Sequence, residues 1–224
     1  MKRFGDDVVR EAGGVVVWVI VVAAGGGTRF GRAKQFEFIG TTTVLGRSVD
    51  TARRAADGVV VVLPAGIEWD GPTDVRTTVG GATRSESVRA GLALVPENAE
   101  IIVVHDAARP VASDALYRAV VDAVRSGADA AIPALAVSDT LKRVAGDRVV
   151  TTVARDELVA VQTPQAFAAA PLRLAHADGL ETSDDAAAVE ASGGVVVVVA
   201  GEPTNIKITL PDDLVVARAI LEQR

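Results

Sequence analysis

The sequence predicts an α/β domain built on a mostly parallel, twisted sheet flanked by helices. Three observations carry that expectation. Short valine-rich runs recur along the chain, continuous rather than alternating, as in strands covered on both faces. Stretches of helical period lie between them. Strand and helix alternate, the pattern of a parallel sheet with crossover connections. The arrangement is Rossmann-like, and the length suits a single domain over residues 1–224.

The strands are expected, in order, at Val15–Ala23, Val59–Leu63, Ile101–Val104, Ala130–Ala134 and Val195–Ala200. The helices are expected at Val44–Ala56, Ser85–Leu94, Asp114–Val124, Asp184–Ala191 and Asp212–Leu221. Ser113 and either Thr182 or Ser183 are placed as N-caps, and Pro211 opens the last helix with Asp212 and Asp213 in its first turn. One region breaks the rhythm. From Val137 to Ala160, "VSDTLKRVAGDRVVTTVARDELVA", short β-like runs flank a turn at Ala145–Asp147 with no helical stripe. A projecting β-hairpin arm over 137–160 is expected. Such an arm buries little alone, so it is expected to pack on a second subunit in a homodimer.

Composition narrows the function classes. Half the chain is hydrophobic (49%), enough for a sizeable core. The net charge of −6 argues against a general nucleic-acid or membrane-surface binder, so any anion site must be a local cluster of cations. The chain has no cysteine, which removes disulfides, thiolate metal sites and Cys nucleophiles and fits a cytoplasmic protein. Two histidines, His105 and His176, are too few for a His-based metal site. The apolar run Val15–Ala24 follows Lys2 and Arg3, but Asp6, Asp7 and Glu11 intervene and ten residues do not span a bilayer. It reads as a buried strand.

That strand runs into "VVAAGGGTRFGRAKQ", Val21 to Gln35, where three glycines meet Arg29, Arg32 and Lys34. A bare backbone beside cations suits phosphate, and three kinds of loop compete. For a dinucleotide fingerprint, Gly25 and Gly27 fit but Phe30 holds the third position. The acid expected at the end of the second strand is missing too, where Leu63-Pro64-Ala65 stands. For a P-loop, Gly26 and Gly31 have the spacing but Arg32-Ala33 replaces Lys-Ser/Thr. A longer loop remains, in which glycines let the backbone approach a triphosphate and the cations fold over it. Nucleotidyl transfer needs that arrangement, because attack at the α-phosphorus builds negative charge on its oxygens. Magnesium bridging the phosphates serves the same end.

Other constellations follow strand ends. In "HDAARP", Asp106 is placed to hold magnesium or a ribose hydroxyl and Arg109 to clamp a phosphate; a loop ion pair is the plainer alternative, and His105 reads as structural. "VGGATRSES" offers Gly80 and Gly81 for close approach to a base or sugar, or a plain turn capped by Ser85. "NIKITLPDDL" places Lys207 in an apolar strand before a helix. "AVQTPQAF" puts Thr163 before Pro164. Asp184 and Asp185 read as helix-start acids rather than metal ligands.

Taken together and in order, "AAGGGTRFG…AKQ", "GGATRSES", "HDAARP", "SDTLK", "QTPQAF", "TSDDA" and "NIKIT-PDDL" resemble the 2-C-methyl-D-erythritol 4-phosphate cytidylyltransferase family from about Val17 to Ala219. The resemblance implies an Mg²⁺-dependent enzyme that joins CTP to methylerythritol phosphate and releases pyrophosphate. It implies Arg29, Lys34 and Lys207 as the cations at the transition state. It implies Ala23, Ala24, Gly25, Gly27, Gly80, Gly81 and Ser87 in the cytidine pocket, with Asp106 on the ribose or the metal. Asp106, Arg109, Thr140, Thr163 and Lys207 are implied to hold the phosphorylated polyol, with Arg155 reaching from the arm to a neighbouring subunit's substrate. The wider superfamily includes a branch acting on ribitol 5-phosphate, the alternative substrate, and a non-catalytic nucleotide-binding protein is the alternative of another class. This chain departs from the family in three places. Ala33 replaces a proline before the loop lysine, the run from Arg29 to Lys34 is shorter, which brings Arg32 into contention for the lysine's role, and Ala82 stands where an acid is common.

Overall fold

The computed structural model describes residues 14–27, 30–179, 181–182 and 184–224. Its frame is one sheet. Strand β1 (Val17–Val22) pairs in parallel with β4 (Gly58–Leu63) on one side and β6 (Ile101–Asp106) on the other, and β4 pairs in parallel with β5 (Arg76–Val79). Beyond β6 lies β11 (Gln165–Ala168), antiparallel to it and to β7 (Ala130–Ala136). Strand β10 (Val159–Val161) pairs with the other end of β7, and β12 (Val196–Ala200) runs parallel along β7's far side. All five valine-rich or alanine-rich runs expected as strands are therefore sheet strands.

Period-two geometry divides the apolar residues between two cores. Val19, Val21, Val59, Val61 and Val103 face a cluster completed by α1 (Val44–Ala55) and α3 (Asp114–Arg125). Ile20, Val60, Val62, Ile102 and Val104 face the opposite cluster, completed by α2 (Arg84–Leu92), α4 (Ala169–Ala177) and α5 (Asp185–Ala191). Because successive side chains of a strand alternate faces, only an unbroken apolar run fills both cores. A third cluster joins α6 (Pro211–Glu222) to Phe30, Ile39, Val44 and Ile208. Ile39 comes from a small hairpin, β2 (Phe38–Ile39) and β3 (Thr42–Thr43).

The stretch expected as an arm forms a separate hairpin, β8 (Leu141–Ala145) and β9 (Arg148–Val153), turning at Gly146. Val144, Val149 and Val150 on it are exposed. Val159 and Ala160, the last residues of that stretch, pair with β7 in the main sheet.

Local chemistry explains the helix ends and corrects three expectations. Ser113 caps α3 as expected, its Oγ accepting from Leu116 N at 3.1 Å. Helix α2 is capped by Thr83 rather than Ser85: Thr83 Oγ1 accepts from Glu86 N, while Glu86 Oε2 accepts from Thr83 N. Helix α5 is capped by Asp184, whose Oδ1 accepts from Ala187 N at 3.0 Å. Thr182 instead donates to Asp184 O, and Ser183 lies outside the described residues. Asn205–Thr209, expected as a strand, forms none; Ile208 N bonds Ala108 O at 2.8 Å, and no ladder follows. Helix α4 escapes the sequence pattern because Pro171 falls inside it, tolerated there because it lies in the first turn.

Parallel pairing of β1, β4, β5 and β6 sends four carboxyl ends to one edge of the sheet. Helix α2 packs tightly beneath that edge: a Cβ on Gly91 would stand 2.6 Å from Ile20 Cγ2 and 3.1 Å from Val62 Cγ2. Helix propensity favours alanine over glycine by about 1 kcal/mol, but forcing a methyl into two stiff β-branched side chains costs about 1–3 kcal/mol. Gly91→Ala is therefore expected to lower stability by about 1 kcal/mol, measured by denaturant unfolding; a gain would show that the α2–sheet contact yields freely.

Candidate active site

The loops leaving β1, β5 and β6 line a cleft of about 360 Å³. One wall is the backbone of Ala23–Gly27 after β1. Gly81–Arg84 and Ser87 form the second wall, Asp106–Ala108 the floor, and Lys34 and Lys207 complete the lining. Residues as far apart as 23, 81 and 106 thus meet because parallel strands end together, and Lys207 joins them from the segment before α6.

The glycine loop is held open from behind. Gln35, buried in the short 3₁₀ turn Lys34–Phe36, donates from Nε2 to Ala23 O at 2.9 Å and Gly25 O at 3.1 Å. Gly25 and Gly26 have nothing within 4 Å of where a Cβ would project, so their backbone faces open space. Gly80 does not line the cleft but lets its walls touch: a Cβ there would stand 2.3 Å from Ala24 Cβ and 2.7 Å from Ser87 Oγ.

Asp106 is the charged centre of the floor. Its side chain is 13% exposed, its Oδ2 accepts from Lys207 Nζ at 2.6 Å, and its Oδ1 accepts from Arg84 Nε at 3.3 Å. Burial alone would push its pKa up. The fields of Arg84 and Lys207, with the lysine hydrogen bond, outweigh burial and hold the carboxyl well below the usual carboxylate range. Burial likewise works against the Arg84 cation, and Asp185 and Asp106 overcome it.

A neutral network sets the floor's height. His105 is fully buried, and burial lowers its pKa to about 4 despite the neighbouring Asp106. The ring is therefore neutral near pH 7. Arg109 O can only accept, so Nε2 carries the proton and donates to it at 3.2 Å; Nδ1 then accepts from Thr163 Oγ1, also at 3.2 Å. Thr163 Oγ1 in turn accepts from Asp106 N at 3.0 Å. The Thr163–Pro164 peptide is cis. Next to it, Gln162 clamps the segment that carries Lys207. Its Nε2 donates to Glu202 O at 2.9 Å, its Oε1 accepts from Glu202 N at 3.0 Å, and Asn205 Nδ2 donates to Thr163 O at 2.9 Å.

Among the residues expected in a site, Ala23, Ala24, Gly25, Gly27, Lys34, Gly81, Ser87, Asp106 and Lys207 line this one cleft. Arg29 lies outside the described residues. Arg32 turns away: its guanidinium pairs with Glu37, Nη2 to Oε2 at 2.9 Å, while Lys34 faces the cleft. Thr163 is 6% exposed and spends its hydroxyl on His105 and Asp106. Arg109 reaches main-chain carbonyls, Nη1 to Asn205 O at 2.7 Å and Nη2 to Val161 O of β10 at 3.3 Å, rather than the cleft lining. Thr140 and Arg155 stand exposed at the base of the hairpin, Arg155 donating to Ser138 O, and the fold of this chain does not bring them to the cleft. Sequence reasoning gave no role to Arg84 or Gln35, and read Asp185 only as a helix-start acid, which its place in the first turn of α5 bears out without explaining its burial. Arg84 carried a signal, a cation following two glycines at a helix start; Gln35 and Asp185 gain theirs only through tertiary partners.

The cleft combines open backbone, two lysines and one compensated carboxylate, a donor set suited to a polyphosphate with a sugar attached. Comparison with known proteins agrees. The family model for IspD, 2-C-methyl-D-erythritol 4-phosphate cytidylyltransferase, matches residues 17–223. The chain is 46% identical over 218 residues to the 2-C-methyl-D-erythritol 4-phosphate cytidylyltransferase of Rhodococcus jostii, covering 92% of this chain and 96% of that protein. It is 41% identical to a bifunctional IspD/IspF enzyme of Solidesulfovibrio magneticus, of which it spans 55%. The crystal structure of the Thermus thermophilus 2-C-methyl-D-erythritol 4-phosphate cytidylyltransferase superimposes with a TM-score of 0.80 at 39% identity, over 91% of this chain and 98% of that one. With a match over nearly its whole length and relatives this close, the chain belongs to the IspD family of cytidylyltransferases.

Proposed function

We propose that the chain transfers the cytidylyl group of CTP to 2-C-methyl-D-erythritol 4-phosphate, giving 4-diphosphocytidyl-2-C-methyl-D-erythritol and pyrophosphate. The observation that carries the reading is the position of Lys34 and Lys207 in one cleft with the open backbone of Ala23–Gly27. A phosphate oxygen of the polyol attacks the α-phosphorus in line. A new P–O bond forms as the bond to the bridging oxygen breaks, and pyrophosphate leaves with that electron pair. Lys34, Lys207 and, from the loop, Arg29 meet the charge that grows on the phosphoryl oxygens. Gly81 admits the cytosine, with Ser87 beside it and Gly80 letting the walls meet behind, and Asp106 receives the ribose. Family membership favours this polyol over ribitol 5-phosphate, and a set of cations aimed at a reacting phosphate favours turnover over mere binding.

The donor set fits Mg²⁺ held mainly by the triphosphate. Asp106 offers a carboxylate, while among the described residues no group of three or more His, Cys, Asp or Glu is arranged to hold a metal. Magnesium sites in nucleotidyl transfer commonly take one or two carboxylates and complete the shell with phosphates and water. When bound, the ion neutralises phosphate charge. Asp106's part is to orient the sugar-phosphate beside it.

The hairpin supports a homodimer: exposed Val144, Val149 and Val150 need cover, and Arg155 at its base serves a polyol bound in the second subunit. CTP and a small phosphorylated polyol are its ligands; nucleic acid and membrane are not among its partners, in keeping with the acidic charge, and its compartment is the cytoplasm. No helix among the described residues is long and apolar enough to cross a membrane.

Pyrophosphate release is expected to require CTP, methylerythritol phosphate and Mg²⁺ together, with ribitol 5-phosphate run alongside supporting far less; equal rates with the two alcohols would overturn the substrate assignment. Lys34→Ala is expected to lower kcat by about 10²-fold or more, while Arg32→Ala, which loses a surface pair with Glu37, keeps kcat within about twofold. Steady-state kinetics on both variants decide between the two cations, and the reverse ranking would move the loop's catalytic charge to Arg32.

A further inference from the structure

An ion-pair chain leads from the cleft floor into the core. Arg84, at the first position of α2, donates from Nε to Asp106 and from Nη1 to Asp185 Oδ2 at 2.8 Å. The other oxygen of Asp185 accepts from His176 Nε2 of α4 at 3.0 Å. His176 is buried, and its Nδ1 finds no partner among the described residues, so Asp185 is the ring's polar contact there.

The helix start does not account for Asp185. Capping of α5 falls to Asp184, and an acid that merely complements a helix dipole does not need full burial to do so. Asp185 is 1% exposed. A carboxylate so buried persists only when paired and hydrogen-bonded, and both its partners come from other helices.

The two cations on Asp106 differ in the way that matters for turnover. The Lys207 side chain is 41% exposed, sits on an extended segment, and has no second carboxylate among the described residues. The Arg84 side chain is 27% exposed and is held at its far end by Asp185. A guanidinium can bond two carboxylates from separate nitrogens in fixed geometry; an ammonium on a flexible stem turns readily. We propose that Asp185, braced by His176, is a positioning residue that keeps Arg84 as the standing counter-ion of Asp106, leaving Lys207 as the cation that turns to the substrate phosphate. The proposal rests on the reading of the cleft as a nucleotide site. Its consequence is that Asp106 keeps a partner and its place in the floor when Lys207 leaves it.

A double-mutant cycle on the full chain tests this, with CTP affinity from calorimetry in Mg²⁺, steady-state kinetics and thermal unfolding read together. Asp185→Asn preserves shape and removes the charge. It is expected to raise the Kd and KM for CTP about tenfold. In an Arg84→Met background the same change is expected to add no further loss and to recover part of the lost Tm, because it removes a carboxylate left without its cation. A CTP affinity for Asp185→Asn equal to that of the parent chain, or losses that multiply across the cycle, would overturn the proposal. A coupled cycle in a chain that shows no turnover would count against the assigned reaction and not against the positioning role. Multiplying losses in an active enzyme would do the reverse. Should Asp185→Asn not fold, His176→Leu takes its place: a raised CTP Kd supports the bracing role, and an unchanged one overturns it.

Discussion

Asp106 is a carboxylate at the buried end of β6, and a carboxylate there requires cations around it. It draws one from α2 and one from the segment before α6, residues 84 and 207. Removing a partner from a fully buried ion pair costs about 3–5 kcal/mol; the exposure of Lys207 reduces that figure on its side. The same attraction fixes three distant stretches of chain around one point. It therefore gives the cleft its floor, one wall and one of its lysines at once.

Uncharged contacts do the complementary work. The His105–Thr163 pair hangs Asp106's backbone from the segment that precedes β11, and Gln162 pairs with Glu202 much as a neighbouring strand would. Charges set which side chains converge, while amides and hydroxyls in the dry interior set where the backbone stands. Burial keeps His105 neutral, so this scaffold adds no charge beside Asp106.

Much of the frame was legible. Valine runs buried on both faces have no helical stripe to confuse them, and Ser113 and Pro211 announce their helix ends through local hydrogen bonding and a fixed φ. Helix α4 and strand β5 were not legible: one carries a proline and the other reads Arg-Thr-Thr-Val, mostly exposed at the sheet edge. The cap of α5 was misplaced by one or two residues because three oxygen-bearing side chains stand in a row, and only packing selects Asp184. Within the cleft, Gly25, Lys34, Asp106 and Lys207 announced themselves by residue type and place in a motif. Arg109 and Thr163 bore the same kind of signal, yet in the fold they bond protein groups.

The sequence by itself determined the class of fold and the strand ends that carry the chemistry, because apolar periodicity, capping and glycine placement act within a few residues of chain; the reaction came from the resemblance of its ordered motifs to a family. The tertiary structure alone decided which cations reach the cleft, that Arg32 turns to Glu37 while Lys34 turns inward, and that Asp185 lies under Arg84 instead of in solvent. The reason is physical. Charges pair through space with whatever the fold brings within a few ångströms, and burial decides the strength of each pairing; neither quantity is written in the spacing of residues along the chain.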